Sequence, residues 1–226
     1  MVRAVSRVAV AMGSGTEHTP PAGRQVAGAP RSGAGGGDAV GAIVLAAGRA
    51  ARMGRPKVLL PWCGRPLLAH VLGVLVASGA APVVVVTGPD TPALDSLTAQ
   101  FAFLSVYNHE ARAGMASSIA VGAAAMVGKV VATLICLGDQ PSIDVAVVRD
   151  LVARVDDGRP VVPVYRGKRG HPVRFPASLL AELRGLHGDR GARDVLERYP
   201  PVRVAWDLPL PQDVDTEDDY RRLLRD

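Results

Sequence analysis

The residues of this chain best equipped for chemistry are cations gathered around one glycine-bounded turn. Residues 42–61 read AIVLAAGRAARMGRPKVLLP, so Arg49, Arg52 and Arg55 sit on and beside a turn bounded by Gly48 and Gly54, with Lys57 just beyond. The apolar run Ile43, Val44, Leu45 leads into it. A buried strand that empties into such a loop suits a phosphate. Main-chain N–H groups approach an anion closely where no side chain intervenes, and the cations neutralise it. Spacing excludes two common forms. A P-loop needs Lys directly after its second glycine and then Ser or Thr, whereas Arg55 and Pro56 precede Lys57 here and Val58 follows it. A dinucleotide G-x-G-x-x-G is also excluded, because Arg49, Ala50 and Ala51 follow Gly48.

The elements that must position this loop alternate along the chain. Val40 to Leu45 reads as a first strand, and Pro66 suits the first turn of a helix carrying Leu68, Val71, Leu72, Leu75 and Val76, closed by Gly79. Val83 to Val86 is an all-valine run, as expected of a strand covered on both faces. A helix at 94–99, a strand at 103–106, a helix of small residues at 114–126 and an apolar strand at 131–137 follow. Val148, Leu151, Val152 and Val155 mark the next helix. Residues 160–165 and 171–175 read as two strands joined by the basic turn Arg166-Gly167-Lys168-Arg169-Gly170. Helices near 177–183 and 192–198, a strand at 202–206 and a helix from Glu217 complete the pattern. Such alternation predicts a three-layer α/β/α domain with a largely parallel sheet. Ligands then bind beyond the carboxyl ends of the strands. The Gly48 loop lies there, and so does Gly138-Asp139-Gln140-Pro141, directly after the strand ending at Leu137.

Composition narrows the function classes. The 226 residues are 48% apolar but only 4% aromatic, with a net charge of +5. Four arginines against two acids put part of that charge before residue 39, leaving a mildly basic body. With few aromatics and no basic stripe along a helix, nucleic-acid binding is not expected. No segment approaches the ~20 apolar residues of a membrane span, and Arg7 interrupts the short apolar stretch at the N-terminus, against a signal peptide. The two cysteines, Cys63 and Cys136, have no metal-type spacing and form no disulfide framework, so a cytoplasmic setting is expected. Residues 1–38, rich in Gly, Pro, Ala and Ser, read as a disordered extension to a domain covering 39–226.

The loop resembles the signature of the MobA-like nucleotidyltransferases, L-A-[AG]-G-x-[SA]-x-R-M-G-x-x-K, here carried by Leu45, Ala46, Ala47, Gly48, Ala50, Arg52, Met53, Gly54 and Lys57. Further stretches match the molybdenum cofactor cytidylyltransferase branch of that family. They are Asn108 with Gly114-Met115-Ala116-Ser117-Ser118, Leu137-Gly138-Asp139-Gln140-Pro141, Arg169-Gly170-His171-Pro172-Val173, residues 188–193 and residues 213–218. The resemblance implies a Rossmann-like, GT-A-type nucleotidyltransferase fold with a mostly parallel mixed sheet. It also implies transfer of CMP from CTP to the phosphate of a molybdopterin-type cofactor, in the service of a molybdenum hydroxylase. GTP or another phosphorylated acceptor is the alternative. Ala47 and the two residues between Gly54 and Lys57 favour CTP, whereas Ala50 stands where that branch often has serine.

The same resemblance assigns roles. Leu45, Ala46, Ala47, Gly48, Gly114 and Ser117 are expected at the nucleotide. Arg52 offers a planar fork for the β- and γ-phosphates and Lys57 a compact cation for the α-phosphate. Asp139 is the expected Mg²⁺ ligand, with Asp215, or alternatively Asp213, as the second carboxylate. Two plainer roles compete: Asp139 as a helix cap ahead of Pro141 and Ser142, and the Asp215 region as a helix start capped by Thr216 with Asp219. His171 and Asp189 are expected on the acceptor side.

Overall fold

The computed structural model describes residues 39–48, 56–91, 94–188 and 190–225. The expected extension, residues 1–38, therefore lies outside the described residues. Strand β1 (Val40–Leu45) is buried on both faces because its side chains alternate between two apolar layers. Ala42 and Val44 join one core cluster and Ile43 the other. The valines of β4 (Val83–Thr87) divide in the same way, Val83 and Val85 to one side, Val84 and Val86 to the other. In β6 (Ala132–Leu137), Leu134 and Cys136 face the first layer and Ile135 the second.

The remaining strands are β2 (Pro61–Trp62), β3 (Arg65–Pro66), β5 (Leu104–Tyr107), β7 (Val161–Tyr165), β8 (Lys168–Arg169), β9 (Val173–Pro176) and β10 (Val202–Trp206). Of the ten strands among the described residues, eight form one sheet in the order β10-β7-β9-β6-β1-β4-β5, with β8 on β7, and β2 and β3 pair apart from it. β1 pairs in parallel with β4 (Val44 opposite Val85) and with β6 (Val44 opposite Cys136), β4 with β5, and β7 with β10. Strand β9 runs antiparallel to both β6 and β7. This returns β7 to the direction of β6, so the carboxyl ends of β1, β4, β6 and β7 share one edge.

Helices α1 (Leu67–Ser78) and α4 (Val145–Ala153) pack together on one face, and α3 (Met115–Met126) and α5 (Leu180–Arg184) on the other. The helices α2 (Leu94–Gln100), α6 (Arg193–Arg198) and α7 (Glu217–Leu223) complete the chain. The expected three-layer α/β architecture with a mostly parallel mixed sheet is thus observed.

Local differences have local causes. The α1 helix begins one residue after Pro66, because Pro61 and Pro66 are paired in a small hairpin. Val76 is 56% exposed: the buried stripe runs through Leu67, Leu68, Val71, Leu72 and Leu75 and leaves it outside. Val155, expected on the α4 stripe, lies beyond that helix and is 90% exposed. The basic turn does not lead straight into the next core strand. Arg166 and Gly167, both at positive φ, turn β7 back into β8, and the chain then moves across to lay β9 along β6.

The small residues of α3 let it lie close to the sheet. A Cβ at Gly122 would stand 2.4 Å from Ile43 Cγ2 and 3.1 Å from Val86 Cγ2. Gly122→Ala gains about 1 kcal/mol of helix propensity but forces a strand or helix shift costing about 1–3 kcal/mol. The clash lies against the sheet centre, so a net loss of stability is expected, read as a lowered urea midpoint at unchanged m-value. A raised midpoint would show that the helix can lift without cost.

Candidate active site

Beyond β1 the chain continues over the carboxyl edge of the sheet. Ala46 N–H donates to the Val86 carbonyl at 2.9 Å, and Gly138 N–H donates to the Leu45 carbonyl at 3.0 Å, so the ends of β1, β4 and β6 are tied together. Gly138 has little room for a side chain, since a Cβ there would meet the Leu45 carbonyl oxygen at 3.0 Å. This close approach sets Asp139 on the same cleft as Gly48. Between them opens a cleft of about 340 Å³, lined by Leu45, Ala47, Gly48, Lys57, Gly114, Met115, Ser118, Asp139, Asp213 and Asp215 among others.

Three charges meet in this cleft. The Lys57 ammonium donates to Asp215 Oδ1 at 2.6 Å and forms an ion pair with Asp139 Oδ2. The Lys57 side chain is 16% exposed and that of Asp139 12%, whereas that of Asp215 is 51% exposed. Burial pulls the Lys57 pKa down, but the two carboxylates outweigh it and hold the value above that of a free lysine. The ammonium is therefore fully charged at neutral pH. Burial, with the Asp139 charge in support, pushes the Asp213 carboxyl above the usual carboxylate range. A hydrogen bond of 2.7 Å from Gln140 Nε2 acts in the opposite direction.

Helix caps leave these acids free for the cleft. Asp144, not Asp139, caps α4, accepting from Ala146 N–H at 2.7 Å. Thr216 and Asp219 form the capping box of α7, as its spacing suggests, so Asp215 is not spent on that helix. Leu45, Ala47, Gly48, Lys57, Gly114, Asp139 and Asp215 are thus brought to one cleft, with Asp213 beside them and Ala46 buried beneath. Gly114 opens α3 at φ 116°, a conformation that favours glycine.

Other expected site residues are placed elsewhere. Ser117 lies on a second cavity; its hydroxyl, with one proton shared between the carbonyls of Gly114 (2.8 Å) and Glu110 (2.9 Å), accepts from Asn108 Nδ2 (2.9 Å). Ser118 lines the main cleft instead, and it too accepts from Asn108, which is 2% exposed and ties the end of β5 to the start of α3. His171 is not among the lining residues of the main cleft. Its Nδ1 stands 3.4 Å from the Ile135 carbonyl, Tyr165 donates to its main-chain carbonyl at 2.8 Å, and burial depresses its pKa. Arg52 and Asp189 lie outside the described residues. Ser118, Met115 and Gln140 lie within the family-like stretches but have no task that sequence alone assigns, because their relation to the cleft arises only when α3 and the C-terminal segment converge.

The family model for the MobA-like NTP transferase domain matches residues 42–204. The nicotine blue oxidoreductase of Paenarthrobacter nicotinovorans is 33% identical over 194 residues, 80% of this chain and 95% of that protein. A 43-residue stretch, 19% of this chain, is 56% identical to 23% of the molybdenum cofactor guanylyltransferase of Xanthomonas euvesicatoria pv. vesicatoria (strain 85-10). Among solved structures, Rv0371c from Mycobacterium tuberculosis H37Rv superposes with a TM-score of 0.75 at 32% identity, covering 84% of this chain and 98% of that one. The same protein in complex with manganese superposes at 0.73 and 31% identity, covering 83% of this chain and 98% of that one. The match runs from β1 into β10, across the loop, the Asp139 turn and the core of the sheet, and the chain belongs to the MobA-like NTP transferase domain family.

Proposed function

We propose that the protein transfers CMP from CTP to the phosphate of a molybdopterin-type acceptor and releases pyrophosphate. The observation that carries this reading is the meeting of Lys57, Asp139 and Asp215 beside Gly48, at the carboxyl ends of β1 and β6. In such a transfer an acceptor phosphate oxygen bonds to the α-phosphorus while the α-phosphorus bond to the β-phosphate bridging oxygen breaks. The demand is for positioning and charge neutralisation rather than covalent catalysis.

A divalent cation fits the acids. Carboxylate oxygens of Asp139 and Asp215 reach one point, now held by an ammonium, and hard oxygen donors suit Mg²⁺ or Mn²⁺. Among the described residues no cluster of three or more His, Cys, Asp or Glu is placed to hold a metal, so phosphate oxygens and water would complete the shell. Bound there, the cation would supply neutralisation of the charge gathering on the pyrophosphate. Lys57 would leave its two acids for the α-phosphate, and Arg52 would clamp the β- and γ-phosphates. The main-chain N–H groups after Ala47 and the start of α3 at Gly114 and Ser118 would border the nucleotide, with Ser117 holding that first turn in place through Asn108. His171 and Asp189 would serve the acceptor side, and a molybdenum hydroxylase apoenzyme would receive the product.

The relative named as an oxidoreductase supports a second reading, in which a nucleotide is held as a redox partner. The acids favour the first reading: hydride transfer gives two carboxylates at such a cleft no task, whereas nucleotidyl transfer gives them a cation to hold. Incubation with each NTP or a reduced nicotinamide nucleotide, with Mg²⁺ or Mn²⁺, and with molybdopterin, its molybdenum form or a sugar phosphate separates them. Pyrophosphate release with CTP foremost is expected. Release with GTP or a sugar phosphate would move the specificity, and oxidation of a reduced nicotinamide without pyrophosphate would establish the second reading.

A further inference from the structure

Gln140 does not line the cleft and is 4% exposed, yet it is bonded to the segment that carries the second acid. Its Nε2 donates to Asp213 Oδ1 at 2.7 Å and to the Pro211 carbonyl at 3.3 Å, across more than seventy residues of sequence. A main-chain carbonyl can only accept, so the orientation of the amide is fixed with its NH₂ toward residues 211–213. Its Oε1 is consequently buried with no hydrogen-bond partner among the described residues. A buried acceptor left without a partner is unfavourable, and an apolar residue of this size would avoid it. A glutamine here is therefore explained by its two donated bonds.

A third bond acts in the same place. Val214 N–H donates to the Asp139 carbonyl at 3.2 Å, so the main chain between Asp213 and Asp215 is docked on the turn that holds the first acid. Upstream, the segment is closely packed as well, since a Cβ on Gly170 would lie 2.6 Å from Leu210 Cδ1. Asp213 and Asp215 are two residues apart along this docked segment and have different tasks. Asp213 is engaged by the amide, whereas Asp215, half exposed, reaches Lys57.

We propose that Gln140 and Asp213 form a latch that seats residues 211–215 on the Asp139 turn and so sets the position of Asp215 relative to Asp139. Gln140 is a positioning residue, and Asp213 is its anchor rather than a cation ligand. The latch rests on the nucleotidyltransferase reading only in what the seated acid is for.

Two readouts on the full chain without nucleotide test it: hydrogen exchange at the Val214 amide and Mn²⁺ affinity by titration. Gln140→Leu, close in volume, removes both donated bonds. Exchange at Val214 should quicken and Mn²⁺ affinity fall by roughly tenfold or more, as for other supports of metal ligands. In a double-mutant cycle, Asp213→Ala should add little to Gln140→Leu, since both open the same latch. Asp213→Asn keeps an acceptor oxygen and remains informative should Gln140→Leu fail to fold. It should stay within about threefold of the parent in Mn²⁺ affinity, whereas Asp215→Asn should lose roughly tenfold. Unchanged exchange in Gln140→Leu, additive effects in the cycle, or a loss for Asp213→Asn equal to that for Asp215→Asn would overturn the latch. A parent protein that binds no Mn²⁺ would count against the metal reading of the cleft, while the exchange data would still decide the latch.

Discussion

Asp139→Asn should abolish most turnover while leaving the fold in place. The substitution keeps shape and removes one charge from the only partly exposed end of β6. If that carboxylate holds the cation that neutralises the departing pyrophosphate, kcat should fall about 10³-fold, equivalent to about 4 kcal/mol of barrier. The folded state should lose only about 1 kcal/mol, because Lys57 keeps its 2.6 Å contact with Asp215. Near-normal turnover in a folded Asp139→Asn protein would remove this residue from the machinery. A protein that unfolds at room temperature would make it a structural acid instead.

Lys57→Met separates two roles by sign. Lys57 occupies the point where the two carboxylates meet, so in the free protein it competes with any divalent cation for their oxygens. Removing it should lower turnover about 10²–10³-fold, because a cation is lost from the phosphate side. It should also raise the affinity of the nucleotide-free protein for Mn²⁺ by about tenfold or more, since one unit charge at about 4 Å is worth roughly 1 kcal/mol in bulk water and roughly 4 kcal/mol near a protein surface. Stability at low salt should drop as Asp139 and Asp215 are left facing each other, and Mn²⁺ should restore it. Asp139→Asn, by contrast, should weaken Mn²⁺ binding. A Lys57→Met protein that binds Mn²⁺ more weakly than the parent would show that the lysine braces the acids rather than standing in for the ion.

Much of this arrangement was legible before the fold was known, because the information is local. Val83 to Val86, apolar at every position, announces a strand covered on both sides, and alternate valines do enter the two cores. Thr216 and Asp219 announce a capped helix, and the box is formed. The insertion of β9 between β6 and β7 was not legible: an apolar stretch states that it is a strand, but not which neighbours it takes. Its Arg174, fully buried and bonded to the Arg154 carbonyl at 3.3 Å, is a residue type that local pattern alone assigns to the surface. Ser117 shows a different limit. A serine in a motif at a helix start reads as a ligand-facing hydroxyl, yet here it closes a network with Asn108 and two carbonyls, and its neighbour Ser118 takes the cleft. The helix turns 100° between the two, and the sequence does not say which of them faces the nucleotide side. Gln140 was invisible for a further reason, since its partners lie at Pro211 and Asp213.

Nucleotidyl transfer in the cleft between Gly48 and Asp139 can be followed in a single turnover with CTP labelled at the α-phosphate, in parallel with CTP labelled at the γ-phosphate. With Mg²⁺ or Mn²⁺ and molybdopterin, the α-label should appear on the pterin and the γ-label in pyrophosphate, in equal amounts, and neither should move in Asp139→Asn. Label remaining wholly in CTP, with every pterin acceptor and either cation, would show that the cleft does not transfer a nucleotidyl group from CTP.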